Sequence, residues 1–135
     1  MTFDTAERRP LLADDAVAEL VAATLEDRCR KAGANLLLYC VMPEHVHALV
    51  VIERVDLIAI VRAVKSIVGR CWKAQGNRRD LWQRSFHDRG IRTERDTDEA
   101  IGYILKNPVD EGLVSEWTEY PWIGGTLLDP SLARS

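Results

Sequence analysis

The sequence predicts an α+β fold, a ferredoxin-like antiparallel sheet with helices packed mainly on one face. Apolar segments of strand and helix length follow one another in the order β-α-β-β-α-β(β)-α-α, and two of the strands are separated by a link too short for a crossover. The chain has 135 residues, 47% of them hydrophobic and 29% charged, which is the size and composition of one globular domain. We therefore expect a single domain over 1–135, with an irregular tail over 123–135.

The first half of the chain is expected to form a strand, a helix and a hairpin. In chain order, the predicted elements are a strand over 1–5, a turn at Glu7–Pro10, a helix from Asp14 or Asp15 to about Lys31, and strands at Leu36–Met42 and His45–Glu53. The helix is predicted by apolar residues at helical spacing from Val17 to Leu25, by the aspartate cap and by Gly33 as its stop. The tight link at Pro43 makes the two apolar strands antiparallel neighbours.

The second half is expected to contain two longer helices around a strand region. The predicted elements are a helix that Asp56 caps and Gly76 ends, one or two strands within Leu81–Arg92, a helix that begins at Asp96, and a short amphipathic segment at Val109–Trp117. An apolar stripe from Leu57 to Cys71 defines the first helix, and Leu81–Arg92 alternates aromatic and polar positions. Asp96 with Glu99 has the spacing of a capping box, and we expect Pro108 to break that helix.

Several protein classes are disfavoured by composition and motifs. The longest apolar run, Leu36–Met42, is far shorter than the ~18 residues that a membrane span needs. The first ten residues carry charges where a signal peptide has its apolar stretch, so we expect a cytoplasmic protein. The three cysteines form no C-x-x-C pair, which disfavours a disulfide framework and a zinc-cysteine site. Nucleotide-binding glycine motifs and G-x-S-x-G are absent from the sequence.

The charge of the chain is unevenly distributed. The net charge is −3, yet Val61–Arg95 contains ten basic and three acidic residues, so this segment carries +7 and the remainder −10. A basic surface on an acidic body is a footprint that suits a polyanion. From charge alone, a solvated helix face followed by a hairpin is an equally good explanation.

His45 and His47 form the clearest candidate for a metal site. Residues i and i+2 of a strand project from the same face, so the two imidazoles lie side by side while Val46 points the other way. The alternative is a pair of polar residues on a solvated face. Because the following residues are apolar on both faces, the strand is expected to be central and buried, and buried imidazoles need partners.

Tyr103 and Asn107 are one turn apart on the last predicted helix and share a face. Both are expected to lie away from the apolar stripe around Ile101 and Leu105. Taken alone, this pattern also fits an amphipathic surface tyrosine and an asparagine at a helix end before Pro108. His87 is interpreted as a polar strand residue.

Four blocks in order resemble the single-tyrosine HUH transposases of the IS200-like superfamily, and the third is closest to the REP-associated tyrosine transposase branch. The match extends over about residues 35–122. The blocks are MPEHVHALV at Met42–Val50, LWQRSFHDRGIR at Leu81–Arg92, YILKNPV at Tyr103–Val109 with GLV at Gly112–Val114, and YPW at Tyr120–Trp122.

The resemblance implies a metal-dependent endonuclease and strand transferase of single-stranded DNA. It implies that Tyr103 is the nucleophile, which leaves a 5′-phosphotyrosine and a free 3′-hydroxyl. It also implies that His45, His47 and Asn107 hold Mg²⁺ or Mn²⁺ against the scissile phosphate. Two rival functions stay open: a DNA-hairpin binder that no longer cuts, and a metal-dependent phosphohydrolase in which water attacks.

The family recognises imperfect DNA hairpins, so hairpin (REP-like) single-stranded DNA is the implied partner. The expected phosphate contacts are Lys65, Arg70, Lys73, Arg78 and Arg79. A bacterial, nucleoid-associated location is implied, and both a monomer and a homodimer stay open. The chain departs from the family in its short first strand, in its overall acidity and in Glu44, where the family often has Asn and which would place a carboxylate beside the metal.

Overall fold

A computed structural model describes residues 1–51, 57–88, 90 and 93–129. The expected cap Asp56, the strand end at Glu53, and Arg89, Ile91 and Arg92 lie outside these residues. The main elements are β1 (Thr2–Thr5), α1 (Asp15–Ala32), β2 (Asn35–Val41), β3 (His45–Val51), α2 (Leu57–Ala74), β4 (Trp82–His87), α3 (Glu94–Asp110) and β5 (Ile123–Gly124). The described part of the chain contains no helix that is both long and apolar enough to cross a membrane.

The five strands form one antiparallel-paired sheet in the order β4-β1-β3-β2-β5. Since β1 and β2 both pair antiparallel with β3, they run parallel to each other, and α1 makes the crossover between them. In the same way α2 connects β3 to β4. The predicted α+β, ferredoxin-like fold is confirmed, and β3 is the central strand of the sheet.

Helices cover both faces of the sheet, two on one side and one on the other. Val21 of α1 and Val64 of α2 share a buried cluster with alternate strand residues such as Val46. On the opposite face, α3 packs Ile104 against Leu38, Cys40 and neighbouring apolar residues. A bulge in β2 between Leu36 and Leu38 lets these two residues face opposite sides. The site described below lies on the α3 side.

Both ends of α1 and the C-terminal end of α2 agree with the prediction from the sequence. The Asp14 carboxylate accepts hydrogen bonds from the backbone N–H groups of Ala16 and Val17, as an N-cap does. Gly33 ends α1 with φ of 75°, a left-handed conformation that favours glycine. Gly76, with φ of 96°, follows the last turn of α2. These ends depend on local backbone geometry, which is why the sequence predicts them.

The ends of α3 differ from the prediction. The helix begins at Glu94, and its cap is Thr93, whose hydroxyl accepts from the N–H of Asp96. The expected start at Asp96 was therefore wrong, because the hydroxyl three residues upstream satisfies that N–H instead. Pro108 lies inside the last turn of α3 and does not break it at that point. Only two helical residues follow Pro108, so the proline disturbs few of the backbone hydrogen bonds of α3.

The C-terminal region also departs from the prediction. Val109 belongs to α3, and the expected separate helical segment at Val109–Trp117 is replaced by turns and a short 3₁₀ helix at Trp117–Glu119. The tail expected to be irregular over 123–135 contributes β5, which pairs with β2 through Cys40 and Ile123. An edge strand of two residues carries too little apolar periodicity to be recognised in a sequence.

Candidate active site

The histidine pair projects from the central strand toward α3. His45 and His47 alternate with Val46, which faces the opposite cluster, as the strand period predicts. Both imidazoles are buried, with 3% and 8% of their surface exposed, and their ring centroids are 4.3 Å apart. The alternative of a solvated polar face is therefore wrong for this strand.

The two rings present their Nε2 atoms toward α3 and have polar partners at Nδ1. The hydroxyl oxygen of Thr2, on the adjacent strand β1, lies 2.9 Å from Nδ1 of His47. Thr2 and His47 are directly opposite each other in the strand register. Among the described residues, Nε2 of His47 is buried and has no hydrogen-bond partner. Burial, followed by the nearby charges of His45, the chain terminus and Arg8, lowers the pKa of His47 to about 3. The ring is thus neutral near pH 7, as a ligand must be.

Asn107 brings an amide oxygen into the same space. Its Oδ1 lies 3.0 Å from Nε2 of His45, and only 7% of the residue is exposed. The expectation that Asn107 lies away from the apolar face was wrong. The buried residues of α3 are Ile104, Asn107 and Pro108, and Asn107 lies one turn after Ile104 on the same helical surface.

Tyr103 stands at the edge of this cluster. Its ring meets the ring of His47 edge to face, with centroids 5.2 Å apart, while 60% of the residue is exposed. The other two tyrosines use their hydroxyls inside the fold, because Tyr39 donates to the carboxylate of Glu26 and Tyr120 donates to the carbonyl of Val41. Burial raises the pKa of both phenols above the ordinary value.

The donor set fits a divalent cation of the Mg²⁺ or Mn²⁺ type. Nε2 of His45 lies 3.0 Å from the amide oxygen of Asn107, the ring of His47 is 4.3 Å away between centroids, and Nε2 of His47 is buried without a hydrogen-bond partner among the described residues. No cluster of three His, Cys, Asp or Glu side chains suited to a metal occurs within the described ranges. The third donor is an asparagine, a residue type that such a cluster does not include.

A cleft of about 740 Å³ opens beside the pair of rings. His47 and Tyr103 line one end of it, Ala48 and Val50 contribute apolar surface, and Asp96 lies on its α3 side. Its volume is in the range of pockets that bind small molecules.

The predicted basic contacts divide into two groups. Lys65 donates to the carbonyls of Gln83 and Ser85 at 2.8 Å each, and partial burial lowers the pKa of its ammonium. Lys73 donates to the carbonyl of Arg78 and pairs with Asp80. Both lysines therefore stabilise the packing of α2 against the segment that follows it.

The three predicted arginines are more available for contacts with phosphate than the two lysines are. The carbonyls of Arg78 and Arg79 accept from Lys73 and Trp72, which holds the backbone of this loop in place. Both residues are exposed, and in the described part of the chain their guanidinium groups have no partner. Arg70 is also exposed and contacts only the carbonyl of Ser66 on its own helix.

The sequence reasoning missed Arg8 at the site and gave Glu44 no role among the site residues. Arg8 lies 3.3 Å from Nδ1 of His45 through its guanidinium. Glu44 was expected to place a carboxylate beside the metal. Its Oε1 lies 3.3 Å from Nδ1 of His45, whereas Asn107 lies at Nε2, on the other side of the ring. No local pattern marks Arg8, because 37 residues separate it from His45.

The chain is similar to known proteins both in sequence and in fold. The sequence model of a family described as "Transposase IS200 like" matches residues 1–106. A protein of Haemophilus influenzae named as a REP-associated tyrosine transposase is 28% identical over 106 residues, which are 70% of this chain and 60% of that protein. The chain thus spans less than two thirds of the length of this relative.

Two solved structures share the fold. A REP-associated tyrosine transposase bound to a REP hairpin superposes with a TM-score of 0.76 at 23% identity, covering 90% of this chain and 72% of the other. A structure from Deinococcus radiodurans R1, described as that of a transposase, superposes with a TM-score of 0.57 at 24% identity, covering 76% of this chain and 84% of the other. These two structures show the fold that the chain shares with them.

Proposed function

The chain belongs to the IS200-like transposase family, and from this premise we propose that it cuts and rejoins single-stranded DNA beside hairpins, with Tyr103 as the nucleophile. The observation that carries the proposal is the position of Tyr103, whose exposed ring lies against His47 at the mouth of a cleft. Tyr39 and Tyr120 have their hydroxyls engaged within the fold, so neither competes for this role.

The proposed chemistry is transesterification at a phosphodiester. The phenolic oxygen of Tyr103 forms a bond to phosphorus, the bond from phosphorus to the 3′-oxygen breaks, and the phenol proton is released as the 3′-hydroxyl gains one. The covalent 5′-phosphotyrosine conserves the energy of the phosphodiester, so the 3′-hydroxyl of another strand end can reverse the step without ATP.

His45, His47 and Asn107 would hold the divalent cation. Bound there, Mg²⁺ or Mn²⁺ supplies Lewis-acid polarisation of the phosphoryl oxygens. Thr2 fixes the ring of His47 through Nδ1, and the surrounding apolar residues exclude water from the imidazoles. The amide oxygen of Asn107 adds a hard donor, which suits these ions better than an all-imidazole site would.

The DNA partner is proposed from both the family and the charge distribution. The solved relative that superposes with the higher TM-score is bound to a REP hairpin, and this chain carries ten of its 18 basic residues between Val61 and Arg95. We assign the direct phosphate contacts to Arg70, Arg78 and Arg79, whose side chains are exposed. Lys65 and Lys73 contribute positive charge nearby while fastening the fold.

The test is a covalent-adduct assay. The protein is incubated with Mn²⁺ and an end-labelled oligonucleotide that contains a hairpin from its own genomic flanks, and the products are separated on a denaturing gel. We expect an adduct with the wild-type protein, none with Tyr103→Phe, and an adduct with Tyr120→Phe as the matched control. Hairpin binding should survive in Tyr103→Phe, because only an exposed hydroxyl is lost.

The same assay separates the rival functions. Cleaved DNA without an adduct would indicate attack by water, and a shifted hairpin without cleavage would indicate a binding protein. An adduct that persists at the wild-type level in Tyr103→Phe would refute the assignment of the nucleophile.

A further inference from the structure

The cleft beside the histidine pair is bordered by the first half of α3 and the second half of β3. Leu49 and Ile104, which belong to one buried apolar cluster, line it, and Ala100 and the exposed Val51 add further apolar surface. Tyr103 lines the same cleft. Apolar surface of this kind is what the flat faces of nucleobases contact in proteins, and here it lies next to the proposed nucleophile.

The charged side chains of the cleft have the wrong sign for a phosphate. Asp88, Asp96 and Glu99 contribute carboxylates, and none of the described residues that line the cleft is a lysine or an arginine. Carboxylates repel the phosphate backbone, whereas they accept hydrogen bonds from the N–H groups of bases. The charge of the lining therefore favours the base of a nucleotide over its phosphate.

Asp96 is the carboxylate that is most available to a base within the cleft. Glu99 pairs with Arg95 at 3.3 Å, and Asp88 is exposed. Asp96 is half-buried, and within the described ranges its carboxylate has neither an ion pair nor a hydrogen bond. Its backbone is held in place, because the N–H of Asp96 donates to the hydroxyl of Thr93 at the start of α3. Asp96 is thus a fixed acceptor without a partner.

We propose that this cleft binds the base of a nucleotide at the scissile phosphate, and that Asp96 selects a base that offers N–H donors. The inference rests on the proposed function of the preceding subsection. Seven residues, or about 10 Å along the axis of α3, separate Asp96 from Tyr103. A nucleotide spans such a distance from its phosphorus to the far edge of its base. The phosphate can therefore lie at Tyr103 while the base contacts Asp96.

The hydrogen-bonding character of Asp96 ranks the four bases. An ionised carboxylate only accepts, and its two oxygens match the adjacent N1–H and N2–H groups of guanine. Adenine and cytosine each offer one amino group beside a ring acceptor. Thymine offers a single N3–H between two carbonyl oxygens, which a carboxylate repels. We therefore expect guanine to be bound most tightly and thymine most weakly.

DNA binding by a protein that cannot cut tests the base site. Tyr103→Phe is titrated into fluorescent hairpin oligonucleotides in which each nucleotide flanking the hairpin is in turn guanine or thymine, and the anisotropy is measured. At one position we expect guanine to be bound about 5- to 150-fold more tightly than thymine, the range for a bidentate contact. In Asp96→Asn on the same background this preference should largely disappear, because an amide both donates and accepts. Asp98→Asn is the matched control, since Asp98 is exposed on α3 and does not line the cleft.

A second variant tests the cleft without changing a hydrogen bond. Ala100→Leu adds a larger side chain to the α3 wall and should weaken the binding of guanine at the selected position. Circular dichroism establishes that each variant is folded. Equal binding of guanine at that position by folded Ala100→Leu would overturn the inference.

Three further results decide the proposal. A preference for guanine that survives in folded Asp96→Asn would overturn the inference, as would the lack of a preference at every position. The covalent-adduct assay locates the cut in the wild type, and a preferred nucleotide that is not at the cut would also overturn it. If the wild type formed no adduct at all, the proposed nucleophile would be refuted instead.

Discussion

Replacing Asn107 by alanine removes the acceptor of a buried hydrogen bond from Nε2 of His45. His45 is 3% exposed and Asn107 7%, so water does not readily replace the lost amide. A buried donor left without an acceptor lowers the free energy of unfolding by about 1–3 kcal/mol. For a domain of this length, a loss of 1 kcal/mol lowers Tm by about 3–5 °C, interpolated between the values for smaller and larger domains. We expect the Tm of the metal-free variant to fall by about 3–15 °C.

Added Mg²⁺ should separate this structural effect from ligation. At a concentration of 100 times Kd, a bound ion stabilises the wild-type protein by about 2.7 kcal/mol. If loss of the amide oxygen weakens the site tenfold, the same concentration stabilises Asn107→Ala by only about 1.4 kcal/mol. The variant should therefore be less stable without the ion and gain less from it.

Thermal unfolding followed by circular dichroism, with and without Mg²⁺, measures both quantities. Lys106→Ala is the matched control, because it is the exposed neighbour on the same helix and should change stability by less than about 0.5 kcal/mol. If Asn107→Ala had the metal-free Tm of the wild type and the same gain from Mg²⁺, Asn107 would be neither the partner of His45 nor a ligand.

Two further predictions concern the histidines and the basic surface. His45→Ala and His47→Ala should each abolish both cleavage and its dependence on divalent ions, since either change leaves an incomplete site; normal cleavage by both variants in Mg²⁺ would make the histidines structural. DNA binding should weaken steeply with salt, and Arg78→Ala with Arg79→Ala should reduce the slope of log K against log salt by roughly one unit for each phosphate contact removed. Arg28→Ala with Arg30→Ala is the control, because both arginines already pair with Asp27 on α1. A slope that changes in the control and not in the Arg78 and Arg79 variant would place the DNA on another face.

Features that depend on short-range periodicity could be predicted from the amino-acid sequence. The side-by-side orientation of His45 and His47 follows from the two-residue period of a strand, and the strand is buried because its neighbours in sequence are apolar. The Asp14 cap and the Gly33 stop follow from the backbone preferences of single residues. The resemblance in four blocks added Tyr103 and Asn107 as a pair one helical turn apart, and family membership is now shown.

The groups that meet at the two histidines depend on long-range packing and could not be predicted from local patterns. Asn107 is 62 positions from His45, and its burial depends on how α3 docks on the sheet, which is set by Ile104 rather than by Ile101. Arg8 reaches His45 because a strained turn follows β1, and β1 lies beside β3 in the sheet. The ammonium group of Lys65 likewise donates hydrogen bonds to two carbonyls of β4 instead of remaining available for DNA. These contacts join residues far apart in the chain, and sheet register and helix docking fix them through the packing of many side chains at once, which no local pattern records.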